Sequence, residues 1–302
     1  MNLTSSLSPR KTIRQDSVQL SHRRPVRIHP FANHGDYPLH DHEFYEICLI
    51  LRGHAEHLSD DGVSPLRRGS VVIMSPGRVH GLRKPTGLNG VNIYYLAPWL
   101  LGDPMLLQQR LLALLFLGKT LFPAGTLRTP ILFEISSHTL IRLERMMEEI
   151  TAEYAHPFAS LFSVRLLFLR FLHELSREYE IRHGGSGIPF HEEVWAAILL
   201  IEQCVQQNRK FNVSDLARQI GCSAGHLHRL FCGATGAGPM EYFQTRRMQH
   251  AACLVLDPEF NLTQVAYQVG CADSAHFSRC FRQHMGMTPR DYKRNFQIGE
   301  CG

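Results

Sequence analysis

VSDLARQIGC at Val213–Cys222 and LTQVAYQVGC at Leu262–Cys271 are one pattern written twice, 49 residues apart. HLHRLF at His226–Phe231 returns as HFSRCF at His276–Phe281, and GAGPMEY at Gly236–Tyr242 as GMTPRDY at Gly286–Tyr292, both at an offset of 50. A single inserted residue in the turn separates the two registers, and such self-similarity marks a repeated supersecondary unit. Each copy reads as helix, turn, helix. The first helix starts at a hydroxyl N-cap, Ser214 or Thr263, and places a small residue, Ala217 or Ala266, at the packing position. It stops at Gly221 or Gly270, where glycine tolerates a left-handed turn. The second helix alternates core residues (Leu227, Leu230 and Phe231; Phe277, Cys280 and Phe281) with outward polar ones (His228 and Arg229; Ser278 and Arg279). In a helix-turn-helix the second helix enters the DNA major groove, where an arginine pairs with guanine or binds phosphate. A plain array of helical hairpins with solvated arginines is the alternative. Two copies sharing turn, arginine and terminal Gly-x-x-Pro weigh against it.

The charge agrees. Between Arg209 and Asn295 stand eleven Lys and Arg against six Asp and Glu, which accounts for the whole net charge of +5. A basic domain on a neutral remainder is the electrostatic footprint of nucleic-acid binding, although a solvated basic face looks the same. Upstream of the repeat the character changes twice. The glycine-rich stretch His183–Pro189 reads as a linker, placed at 183–190. Before it, residues 101–182 carry apolar residues at helical spacing, with one face at Leu140, Leu143, Met146, Met147 and Ile150 and another at Leu161, Val164, Leu167, Phe168, Phe171 and Leu175. Those faces either pack on the N-terminal domain or form a dimer seam, and the segment is assigned as a helical dimerisation segment. Residues 26–100 contain VRIHPF, EFYEICLIL, HAEHLS, SVVIMS, HGLRKP and GVNIYYL, short β-prone runs punctuated by glycine. They predict a small antiparallel barrel or jelly roll. Residues 1–25 form a flexible basic tail, read either as disordered, above all over its first dozen residues, or as an arm folding over the barrel. The fold expected is therefore α+β: an antiparallel β-barrel, helices, and an all-α tandem reader at 191–297 with units at about 212–233 and 261–284.

No apolar stretch approaches the roughly 20 residues needed to cross a bilayer, and the polar opening lacks a signal-peptide core. The expected location is cytoplasmic. The eight cysteines include no Cys-x-x-Cys pair and read as reduced core thiols.

The sharpest cluster in the first half is His40-Asp41-His42-Glu43-Phe44-Tyr45-Glu46, with Pro76-Gly77 and His80 beyond. On a strand His40 and His42 share a face, Glu46 returns to it and His80 can join from a facing strand. Three imidazoles and a carboxylate suit a divalent transition metal. Three readings compete: a metal-dependent enzyme, a small-molecule sensor with or without metal, and histidines that merely bridge strands.

Two resemblances bear on these choices. His191–Arg294 is similar to the DNA-binding domain of the AraC/XylS family of bacterial transcription regulators, most closely in AYQVGCADSAHFSRCFRQHMGMTPRDYK. The resemblance implies two helix-turn-helix units joined by a long helix, here EYFQTRRMQHAACLVL, set in successive major-groove segments. It places Gly225, His228 and Arg229 of the first recognition helix and Ser274, Ala275, Ser278 and Arg279 of the second at base-facing positions, and Arg246 and Arg247 near the DNA backbone. Gly225 departs from the pattern, because that slot usually holds a side chain able to touch a base. The His-x-His-x-x-x-Glu and Pro-Gly-x-x-His stretches resemble both motifs of the cupin superfamily, with altered glycine spacing. In many cupin enzymes these four residues are metal ligands, whereas AraC-type regulators use the barrel as a sensor, commonly for a sugar. HDHEFYEICLILRG and NIYYLAP look like segments of rhamnose-type regulators. The resemblances imply a DNA-binding, ligand-responsive activator, dimeric, partnering duplex DNA, a sugar-like effector and RNA polymerase. No cofactor is required, and His40, His42, Glu46 and His80 form the expected ligand or metal site. The alternative is a metal-dependent cupin enzyme using the same four residues.

Overall fold

The computed structural model describes residues 11–297 apart from 22, 34, 102–103, 123–130, 185–190 and 258. Most of the expected linker, the first ten residues of the tail and Cys301 lie outside the described residues. The chain divides into two units, one of Met1–Ala97, Leu114–Gly118 and Arg128–Gly187, the other of Pro98–Ala113, Lys119–Leu127 and Ile188–Gly302.

The strands are β1 (Lys11–Ile13), β2 (Val26–Asn33), β3 (Tyr37–His42), β4 (Tyr45–Ser59), β5 (Gly62–Arg67), β6 (Ser70–Met74), β7 (His80–Tyr95) and β8 (Ile131–Glu134). The sheet runs β1-β3-β7-β4-β6-β8, with β2 also on β7 and β5 also on β4; only the β1–β3 pairing is parallel. The two long strands organise it. β4 takes β6 along its first half and β5 along its second, while β7 takes β3 and then β2. EFYEICLIL and HAEHLS are thus one strand rather than two, as are HGLRKP and GVNIYYL. The glycines between them are not turns but irregularities in the β4–β7 ladder, where the register shifts between Ile50 and Glu56. Gly53 adopts φ 78°, and a Cβ there would stand 2.3 Å from the Gly87 carbonyl oxygen. Only glycine lets the backbones approach so closely.

The basic tail is not uniformly loose. Lys11–Ile13 pairs with His40–His42 on the sheet edge, Glu43 N–H donates to the Ile13 carbonyl at 3.2 Å, and Leu20 is buried. A strand ladder and an apolar anchor hold this part of the segment down.

The helices are α1 (Ala97–Leu101), α2 (Pro104–Gln108), α3 (Arg110–Leu121), α4 (Ser137–Ala155), α5 (Leu161–His183), α6 (Glu192–Gln206), α7 (Val213–Ile220), α8 (Ala224–Thr235), α9 (Pro239–Leu256), α10 (Leu262–Gln268), α11 (Ser274–Met285) and α12 (Pro289–Gln297). Of the two readings of the helical faces, packing on the sheet is the one most of their residues follow. Leu140, Leu143, Met146, Met147 and Ile150 of α4 are buried, as are Val164, Phe168, Phe171 and Leu175 of α5. Phe168 lies on Tyr95 of the sheet (ring centroids 5.3 Å apart) and Tyr179 meets Phe133 edge-on at 5.3 Å. The helices pack on their own sheet because that is where the nearest apolar surface lies.

In the second unit the repeat becomes two matching pieces of local structure. Ala217 and Ala266 are buried at the helix crossings, and Met248, Ala251, Ala252 and Val255 of α9 pack with Val265, Val269, Phe277 and Phe281. The N-caps lie two residues upstream of the expected hydroxyls. Asn212 accepts from Ser214 N and Asp215 N, and Asn261 forms a capping box with Gln264. Gly221 and Gly270 turn the chain at φ 84° and 69°. Gly236 and Gly286 end the recognition helices at φ 78° and 77°, and Pro239 and Pro289 open the next helices, which is what the repeated Gly-x-x-Pro encodes.

Candidate nucleic-acid interface and buried cavity

α8 and α11 present their polar faces to solvent. Gly225, His228 and Arg229 are exposed on α8; Ser274, Ala275 and Arg279 are exposed on α11, with Ser278 half-buried and its hydroxyl donating to the Ser274 carbonyl at 2.8 Å. Both helices are capped by side chains that accept from a first-turn amide, Ser223 from His226 N and Asp273 from His276 N. The His276 amide holds the Asp273 carboxyl below the usual carboxylate range. Gly225 leaves a gap, since a Cβ there would have nothing nearer than Arg229 Nη1 at 4.0 Å. His228 lies beside Cys232 (Nδ1 to Sγ 3.6 Å) and against Gly238.

Arg246 does not belong to this face. It is buried, with Nε 2.5 Å from Glu202 Oε1, Nη2 3.1 Å from Oε2, and Nη1 donating to Gln249. The expected backbone contact is corrected: Arg246 joins α9 to α6, because its stretch of α9 turns inward and a buried guanidinium needs a carboxylate. Its neighbour Arg247 is half-buried, stacked over Phe243 at 5.7 Å.

The sheet unit holds a partly open cavity of about 150 Å³. Its polar wall is His29, His40, Glu46, His57, His80, Asn92 and Tyr94; Ile13, Phe31, Tyr37, Met74 and Leu82 are among the rest of its lining. His40 and His80 face each other across β3 and β7 with ring centroids 4.3 Å apart, and one ligand atom from each of His40, Glu46 and His80 lies within 4.8 Å of the others. His42 is not in this wall. Its Nδ1 donates to the Phe44 carbonyl at 2.6 Å, its ring stacks on Phe44, and its Nε2 stands 3.5 Å from Glu46 Oε2. His42 sits at the end of β3, where the contact to Phe44 draws its ring away from the cavity. It buttresses Glu46 instead. His57, which the motif reading missed, takes a place in the wall 5.6 Å from the His80 ring. Counting by twos from Glu46 puts residue 57 on the opposite face; the register shifts around Gly53 reverse that parity.

The cavity is electrically quiet. Burial pushes His42 and His57 down to about 4 and lowers His40 and His80, so the imidazoles are neutral, while burial raises Glu46 to about 8. No Lys or Arg lines it. Asn92 Nδ2 donates to the Tyr94 hydroxyl at 3.1 Å, whereas Asn92 Oδ1, His57 Nε2 and His80 Nε2 in the wall, and His42 Nε2 beside it, are buried without a hydrogen-bond partner. Such groups wait for a donor, an acceptor or an ion.

Comparison with known proteins identifies the two domains. Residues 28–115 match the family model of the AraC-like ligand binding domain and residues 216–295 that of a helix-turn-helix domain, together more than half of the chain. A relative from Mannheimia succiniciproducens, the HTH-type transcriptional activator RhaR, is 24% identical over 290 residues, covering 93% of this chain and 98% of its own. The uncharacterized HTH-type transcriptional regulator YfiF of Bacillus subtilis is 26% identical over 267 residues, covering 85% and 79%. The crystal structure of ToxT from Vibrio cholerae aligns with a TM-score of 0.40 at 16% identity, over 89% of this chain and 96% of that one. With a ligand-binding sheet domain followed by a doubled helix-turn-helix, the chain belongs to the AraC family of ligand-responsive, DNA-binding transcription regulators.

Proposed function

We propose that this regulator reads duplex DNA with the exposed faces of α8 and α11 and is switched by a small, neutral, polyhydroxylated effector of the sugar class held in the cavity. The observation that carries the effector class is the wall itself: about 150 Å³ of space, no Lys or Arg side chain, and unpartnered polar atoms among apolar ones. A cavity of that size takes a single ring rather than a drug-sized molecule. A phosphate or carboxylate would find no guanidinium or ammonium there to replace its water. The relatives named RhaR are transcriptional activators, which supports an activator here; RNA polymerase as partner belongs to the same reading. No helix among the described residues is long and apolar enough to cross a membrane, which fits a cytoplasmic protein. A homodimer belongs to this reading because paired DNA sites favour two-fold assemblies.

The cavity serves sensing, not turnover. A thermal-shift screen of the full chain against neutral monosaccharides and their phosphates tests this, since a ligand specific to the folded state raises the melting temperature by mass action. The expected result is a rise with at least one neutral sugar, lost in Asn92→Ala, and no rise with its phosphate. A response to the phosphate alone, or chemical conversion of the sugar during incubation, overturns the reading.

A further inference from the structure

His40, Glu46 and His80 are each buried, and their ligand atoms converge within 4.8 Å, with His80 Nε2 3.9 Å from Glu46 Oε2. An ion with bonds of about 2.0–2.2 Å holds three ligand atoms about 3.0–3.6 Å from one another, so closing this set takes a shift of about 1 Å or less at each atom. The imidazoles are aimed. His40 Nδ1 donates to the Pro38 carbonyl at 3.0 Å, which fixes the tautomer with its lone pair on Nε2. His80 Nε2 has no hydrogen-bond partner despite its burial, an arrangement that costs about 1–3 kcal/mol unless something fills it. Glu46 has no Lys or Arg partner among the described residues, and its neighbours are His42 at 3.5 Å and His80.

We propose that His40, Glu46 and His80 hold a divalent first-row transition metal whose open coordination positions face the cavity, so that the effector is bound through the ion. This rests on the reading of the cavity as the effector site. Two histidines and one carboxylate leave positions free for oxygen ligands, and two adjacent oxygens, as in a vicinal diol, can occupy them together. The other two histidines take their roles from their positions. His42 packs against Glu46 outside the converging set, with its Nδ1 committed to the Phe44 carbonyl. His57 lines the cavity outside the converging set, so its unpartnered Nε2 is free to accept from a hydroxyl of the bound molecule.

The test uses the full chain, stripped with EDTA and dialysed against Co²⁺, with metal content after desalting and the visible ligand-field absorption as readouts. About one equivalent is expected. Glu46→Gln and His80→Ala should each lose more than ~100-fold in Co²⁺ affinity, above the roughly 10–100-fold lost with an outer hydrogen-bonding partner, whereas His42→Ala, which removes no atom of the converging set, should lose less than either. His57→Ala should bind Co²⁺ as the parent does but lose the thermal response to the neutral sugars found by the screen. Circular dichroism of each variant checks the fold, and the glutamine substitution keeps the carboxyl's shape should an alanine variant unfold. Failure of the parent chain to retain Co²⁺, or retention undiminished in Glu46→Gln and His80→Ala, overturns the metal site. If the metal-free chain still responds to a neutral sugar, the cavity reading survives and the metal is discarded. If neither metal nor sugar binds, both fall.

Discussion

Glu46 in the sheet unit and Glu202 in the helical unit are both buried carboxyls, 4% and 3% exposed. Glu202 meets the Arg246 guanidinium at two points, so its charge is answered and the pair fastens α6 to α9. Glu46 meets only imidazoles that burial keeps neutral, and its own proton is retained up to about pH 8. The same residue type at the same depth therefore does opposite work. A buried carboxyl with a cation beside it is structure; one without a cation, next to unpartnered lone pairs and an open cavity, is where the proposed site rests.

The largest effect expected from this contrast is on Arg246. Arg246→Ala strands the Glu202 charge and should cost about 3–5 kcal/mol of stability, read by urea denaturation. Replacing Arg246 and Glu202 together by Met and Leu should recover most of that loss. A stable Arg246→Ala that merely binds DNA less tightly would put Arg246 back at the interface.

Glu46→Gln, by contrast, should be tolerated, and its signature lies in pH. In metal-free protein Glu46 holds a proton that the unfolded chain releases near its ordinary value of 4.5, so its stabilising contribution is full below that pH and is lost as pH rises to about 8. His42 and His57, lowered from 6.5 to about 4, work in the other direction and lose their contribution as pH falls through that window. The parent should be most stable near pH 6.5 and lose about 2 kcal/mol by pH 8. Melting curves of Glu46→Gln in EDTA should lack that alkaline fall; an unchanged pH profile would mean that Glu46 is ionised in the fold.

Effects on DNA reading are smaller. Arg279→Ala should cost about 1–3 kcal/mol on a selected duplex and relax the preference at one base pair, with Arg229→Ala acting roughly 10 base pairs away. Equal losses on all sequences would reduce both to phosphate contacts. The smallest change is Gly225→Ala, which fills open space on α8 and should raise stability by ~0.5–1 kcal/mol, measured by thermal melting. A loss there would show that the gap beside Arg229 is required.

How much of each region could be read from the chain alone depends on the kind of pattern it carries. The tandem reader was legible because its repeat fixes turns, glycines and prolines twice over, so that only the caps slipped, from Ser214 and Thr263 to Asn212 and Asn261. Arg246 was misread because a helix joining two others has no single solvent face, and periodicity cannot tell which arginine meets Glu202. Likewise, apolar spacing in α4 and α5 describes a buried face without naming what buries it. In the sheet, His40, Glu46 and His80 were found from strand parity. His42 and His57 exchanged places because parity fails at a strand end and across the Gly53 irregularity.

The most direct test of the central claim is footprinting of the full chain on duplexes selected from a random library, across a salt series. Two protected major-groove segments about one helical turn apart, with affinity falling steeply as salt rises, are the predicted result. A single unbroken patch of protection, or affinity indifferent to salt, would contradict the assignment of α8 and α11 as paired readers.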